Sequence, residues 1–107
     1  MASIHLIEKG SASGSVKAVD RETHTYDSGY WKVTVQVAQR LVGGHIYLHS
    51  HWADLSHFGG IIDSFHVFSK AGSAESGRVV FRFQARLDHK GVKAPPGANG
   101  EKRIFLI

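Results

Sequence analysis

The chain has 107 residues, 42% hydrophobic and 10% aromatic, which suits one globular domain with a single modest core. It has no cysteine, so a disulfide framework and a thiolate metal site are excluded and a reducing compartment is expected. The formal net charge is +4; no apolar run reaches the roughly 20 residues of a membrane span, and the opening MASIHLIEKG turns charged too soon for a secretory signal, so a soluble cytoplasmic protein with no membrane partner is expected.

Residues 3–8, SIHLIE, alternate and read as a strand, with Ile4 and Leu6 on one face and His5 and Ile7 on the other. Six small residues follow at 10–15 and read as a mobile surface loop. Residues 16–26 read as a polar hairpin turning at Asp20, Arg21 and Glu22, and Asp27-Ser28-Gly29 is a turn signal. A helix is expected over 34–42. Thr34 can cap it, Val37, Ala38, Leu41 and Val42 form its apolar stripe, Arg40 suits its negative end, and Gly43 can adopt the left-handed stop.

The remainder reads as an antiparallel meander with strands at 45–50, 61–69 and 78–87, then a Pro- and Gly-containing loop and a last strand at 103–107. The strand at 78–87 is the clearest. Val79, Phe81, Phe83, Ala85 and Leu87 take one face, and Val80, Arg82, Gln84 and Arg86 the other. The last strand must be tied into the sheet, and pairing with residues 4–7 or with a neighbouring strand would do so. These elements give an α+β protein with six to eight short strands and one helix. The expected architecture is a small, strongly bent antiparallel sheet or a partly closed β-barrel. The alternative is an open meander sheet packed on the helix. Over residues 30–87 the order of strand, helix, Gly-rich turn and meander is loosely similar to PUA-like barrels, the group containing ASCH and EVE domains. That resemblance implies a bent barrel with a cleft for RNA or a modified base, and it assigns no residue a role.

Segment 41–68, LVGGHIYLHSHWADLSHFGGIIDSFHVF, concentrates the chemistry. Four of the eight histidines lie between Gly44 and Phe58, together with Trp52. On a strand from His45, the side chains of His45, Tyr47, His49 and His51 share one face, opposite Ile46 and Leu48. Imidazoles at i and i+2 can converge on a transition metal, so His45, His49 and His51 form a candidate metal set. Trp52, Ser56, His57 and Phe58 make the loop 49–58 a candidate ligand contact through aromatic faces and imidazole donors. Asp63 poses a separate question. If its face is the core, a carboxylate sits among Ile61, Phe65 and Val67; if not, Ser64 and His66 are buried with Ile62 and Phe68. Either arrangement requires a polar partner inside.

The charge is uneven. Residues 78–107 hold Arg78, Arg82, Arg86, Lys90, Lys93, Lys102 and Arg103 against Asp88 and Glu101, which suits an anionic partner. No nucleophile elbow, P-loop, dinucleotide fingerprint or zinc-protease motif is present. The expected role is a small non-catalytic binding or interaction module. Its ligand would be anionic, nucleic acid or nucleotide-like, held by His49, His51, Trp52, Ser56, His57, Asp63, Arg82 and Arg86, with no cofactor. The alternatives are a small enzyme using a divalent transition metal on His45, His49 and His51, and a structural homo-oligomer. Self-association as a dimer is expected.

Overall fold

The computed structural model describes residues 2–8, 16–97 and 100–106. The small-residue run at 10–15 and the last residue of the final strand, Ile107, lie outside them. The elements are β1 (Ser3–Ile7), β2 (Lys17–Asp20), β3 (Thr25–Asp27), α1 (Val35–Leu41), β4 (His45–His49), β5 (Phe58–Val67), β6 (Val79–Ala85), a 3₁₀ turn at Leu87–His89, and β7 (Lys102–Phe105). None of the described helices is long and apolar enough to cross a membrane.

The strands form one seven-stranded sheet in the order β2-β3-β6-β5-β4-β1-β7. The meander β4-β5-β6 and the β2–β3 hairpin are antiparallel, and β7 returns antiparallel to β1. Between β1 and β4 the pairing is parallel, because the intervening chain carries α1 across one face before re-entering the sheet. The sheet is mixed and open. The partly closed barrel does not form, since β2 and β7 lie at opposite edges and are not paired to each other.

Alternation sorts the side chains into two faces. Ile4, Leu6, Ile46, Leu48, Ile62, Val79, Phe81 and Phe83 meet Ala38 and Leu41 of α1 and Trp31 in the apolar core. Phe81 and Phe83 are fully buried, each contributing roughly 1.5–3 kcal/mol of transfer free energy. The helix starts where its cap is, with the Thr34 hydroxyl accepting from Val37 N–H at 3.3 Å. Its last helical residue is Leu41. Val42 is extended and exposed rather than part of the apolar stripe, and Gly43 takes φ +84°.

β5 begins at Phe58, three residues ahead of the expected start, because its glycines run within the ladder. Gly59 pairs with Tyr47 and Gly60 with both Ile46 and Ala85. A Cβ on Gly59 would run into the Ile46 carbonyl, and one on Gly60 into the Gln84 carbonyl. This second Gly-Gly pair therefore serves close backbone approach, whereas Gly43 serves a turn. Further along β5 the register with β6 shifts between Ile62 and Ser64. Asp63 is the extra residue of a β-bulge. The shift lets both Ile62 and Phe65 face the core, opposite Phe83 and Phe81, and leaves Asp63, Ser64 and His66 exposed. No polar group of this strand has to be buried, and Asp63 is not a carboxylate in an apolar setting.

Candidate functional site

The face of the sheet opposite the core is built of aromatic and imidazole rings. The parallel register sets His5 of β1 beside Tyr47 of β4. On the other side of Tyr47 stands Gly59, and the space its missing side chain leaves is taken by His89, arriving from the 3₁₀ turn. The Tyr47 ring is therefore sandwiched, with His5 at 4.5 Å and 16° between planes and His89 at 4.9 Å and 22°.

Each outer imidazole is hydrogen-bonded to a further one. His5 Nδ1 lies 2.8 Å from His49 Nε2, and His45 Nδ1 lies 2.8 Å from His89 Nε2. With ring centroids only 5.1 and 5.0 Å apart and planes inclined by 28° and 29°, the rings of each pair lie edge to edge. The outer contacts decide the protons. His49 Nδ1 meets the Asp54 carbonyl at 3.0 Å, which only accepts, so Nδ1 carries the hydrogen and Nε2 accepts from His5 Nδ1–H. His89 Nδ1 donates to Asp88 Oδ1 at 2.7 Å, and its Nε2 in the neutral ring accepts from His45 Nδ1–H. Two short relays, ending on a carbonyl and on a carboxylate, thus flank Tyr47.

The chain after β6 covers this face and is fastened at both ends. Ser56 is buried. Its hydroxyl donates to the His89 carbonyl at 2.5 Å and accepts from Val92 N–H at 2.9 Å, while its own N–H donates to the Val92 carbonyl and its carbonyl accepts from Gly91. At the far end Trp52 Nε1 donates to the Gly100 carbonyl, Arg103 donates to the Pro95 carbonyl, and the Arg103 guanidinium lies 4.2 Å above the Trp52 ring. His5, His49 and His89 are at most 4% exposed as a result. Burial, with His49 and Arg103 adding repulsion, pushes His5 down to about 4. His45 and His49 are also lowered, in each case mainly by burial, and burial raises Tyr47. These groups are poised to stay neutral.

The histidines singled out for a metal are not brought together. His45 and His49 belong to separate pairs on either side of Tyr47. β4 ends at His49, so alternation no longer governs His51, whose side chain is 82% exposed and 3.2 Å from Asp54 Oδ2. Among the described residues no group of three or more His, Asp or Glu side chains is arranged to hold a metal.

A cleft of about 320 Å³ opens near the other end of the 3₁₀ turn, lined by Tyr26, Phe58, Arg86, Leu87, Lys90 and His24 among others. Its floor is aromatic: Tyr26 and Phe58 meet edge to face at 4.9 Å and 89°. Lys90 Nζ lies 5.9 Å over the Phe58 ring. Arg86 and Lys90 make no salt bridge among the described residues. The chain matches no known protein family, no curated protein and no solved structure.

Of the eight residues expected to bind a ligand, only Arg86 lines this cleft. His49 is inside the ring ladder and Ser56 is the clasp. Trp52 is engaged by Arg103 and Gly100, and His57 is exposed with Nε2 3.6 Å from Glu8. Asp63 is on the bulge. Arg82 is held in a two-point pair by Asp27, at 2.9 and 3.1 Å. The sequence reading missed His5, His89, Tyr26, His24 and Lys90. The one signal for His5 was its strand phase, outward with Ile7. For His89, in an irregular stretch, there was none.

Proposed function

We propose that the protein is a small binding module for an anionic ligand carrying a planar group, a nucleotide or nucleic acid, held in the Phe58 cleft. The supporting observation is an aromatic floor bordered by two cations, Arg86 and Lys90, that form no salt bridge among the described residues. Aromatic faces stack bases, and adjacent Lys and Arg hold phosphate. The nearest carboxylate on that segment, Asp88, is hydrogen-bonded by His89 and only acts on Arg86 through space, without an ion-pair contact. Titration with a nucleoside monophosphate and with a polynucleotide, at low and high salt, tests this reading. Binding should weaken with salt and drop roughly tenfold on replacing Arg86 and Lys90 together by alanine. Unchanged binding in that variant, or no binding of either ligand, overturns the proposal.

Self-association is retained as a second element. The sheet ends in two open edges, β2 with all four residues exposed and β7, and an open edge is a place where another strand can add. Sedimentation of the purified chain tests it, and a monomer at all concentrations removes it. A cytoplasmic setting accords with the absence of cysteine.

A further inference from the structure

We infer that the cleft accepts one unpaired base of a single-stranded nucleic acid, with Leu87 covering the neighbouring base and Arg86, Lys90 and Lys93 following the backbone. This rests on the anionic-ligand reading and narrows it from any nucleotide to a strand. Three observations carry it. The cleft, at about 320 Å³, is at the small end of ligand sites. A base laid on its aromatic floor must offer a free face, and in a duplex the base faces that Tyr26 and Phe58 would meet are already stacked on each other.

Leu87 supplies the second argument. Leu87 is 83% exposed, the most exposed large apolar residue among the described residues. It does not sit on a loose loop. Arg86 N–H donates to the Gly59 carbonyl at 3.0 Å, His89 N–H to the Arg86 carbonyl at 3.2 Å, and Lys90 N–H to the Leu87 carbonyl at 3.1 Å. His89 is locked in the ring ladder, and its carbonyl is held by Ser56. The backbone under Leu87 is thus fixed on both sides while its side chain projects at the mouth of an aromatic cleft. An apolar side chain held this way can cover a base that lies outside the cleft. A free mononucleotide, whose only base would be inside, meets only the part of Leu87 that lines the cleft and leaves its outer face uncovered.

The third observation is the charge on the same segment. Arg86, Lys90 and Lys93 are all exposed and recur at intervals of three or four residues; Arg86 and Lys90 line the cleft, and Lys93 follows three residues beyond it. The only acidic residue between them is Asp88. A row of cations beside an apolar contact fits a strand whose phosphates continue past the cleft. A protein partner could bring a carboxylate and an aromatic ring, but not the regular run of phosphates that a row of cations would follow.

The experiment compares four probes on the full chain: a nucleoside monophosphate, a short single-stranded homopolymer in DNA and RNA form, a duplex of the same length, and inorganic polyphosphate. The single strand is expected to bind roughly tenfold or more tighter than the monophosphate, the duplex and the polyphosphate. Leu87→Ala, a change at an exposed side chain that also lines the cleft, should cost the single strand about tenfold and the monophosphate several-fold less, because a base inside the cleft touches only part of that side chain. Equal affinity for the monophosphate and the strand overturns this inference while leaving the anionic-ligand reading standing. Equal affinity for the duplex or the polyphosphate also overturns it, by showing attraction to charge alone. Binding of none of the probes overturns both readings.

Discussion

His89 occupies the space that a side chain at Gly59 would fill. An ideal Cβ on Gly59 comes within 3.1 Å of His89 Cβ and overlaps the Ile46 carbonyl. One missing side chain therefore admits a ring from a distant segment into the sheet face, where it stacks on Tyr47, pairs with His45 and anchors the 3₁₀ turn that walls the cleft. Gly59→Ala should destabilise the protein by about 3 kcal/mol, since backbone on one side and a packed imidazole on the other leave no direction for relief. Gly43→Ala is the comparison: its Cβ meets nothing, and only the φ of +84° is strained, a cost of about 1 kcal/mol. Denaturant midpoints of the two variants check the ordering.

The ring ladder makes stability depend on acid. His5 is held neutral down to about pH 4, whereas an unfolded histidine takes its proton near 6.5. As pH falls through that window the unfolded chain binds a proton that the folded chain refuses. The full stability is present above 6.5 and is lost progressively towards 4, by roughly 3 kcal/mol from His5 alone. His45 and His49 are shifted the same way and add to the loss. The carboxyl of Asp88 is lowered chiefly by its hydrogen bond to His89, so it weakens the fold only in stronger acid. Urea unfolding of wild type and His5→Gln across this range should show a flatter pH dependence in the variant. Parallel curves would mean that another group carries the effect.

Where local chemistry determines structure, the chain was readable. The Thr34 cap, the Gly43 stop and the two-residue period of β6 each depend on neighbours in sequence, and each stands where that logic puts it. For β7, the strand it pairs with, β1, was one of two partners that the pattern left open. The bulge at Asp63 resisted reading for a physical reason: the apolar phase changes between Ile62 and Phe65, and only the register with β6 shows that one residue has been set aside. The imidazole pairs join residues 44 positions apart. They depend on a parallel pairing and on the void beside Gly59, neither of which leaves a local pattern.

Ser56 should control the segment that covers the ladder. Its hydroxyl is the shared partner of the His89 carbonyl and the Val92 N–H. Ser56→Ala removes both bonds, in a buried place where nothing replaces them, at a cost of about 2 kcal/mol. Backbone amides of residues 89–92 should then exchange with solvent faster, while those of β6 stay protected. Uniform acceleration across the sheet would show that the clasp acts on global stability instead.

Arg82 lies within β6 and Arg86 just past its end, four residues on, yet the structure gives them opposite employment. Arg82 is committed to Asp27 through two parallel hydrogen bonds, joining β3 to β6 beside their register pair, and its guanidinium is not at the cleft. Arg86 makes no salt bridge among the described residues and lines the cleft wall. Arg82→Gln should lower thermal stability measurably at low salt, less so at high salt, because the pair is partly exposed and screened. Its affinity for anionic ligands should equal that of wild type. Arg86→Gln should show the reverse, with an unchanged melting temperature and weaker binding accompanied by a shallower salt dependence. Thermal melts and salt-dependent titrations on the two variants give four measurements. A binding loss in Arg82→Gln would move the ligand towards β3 and away from the Phe58 cleft.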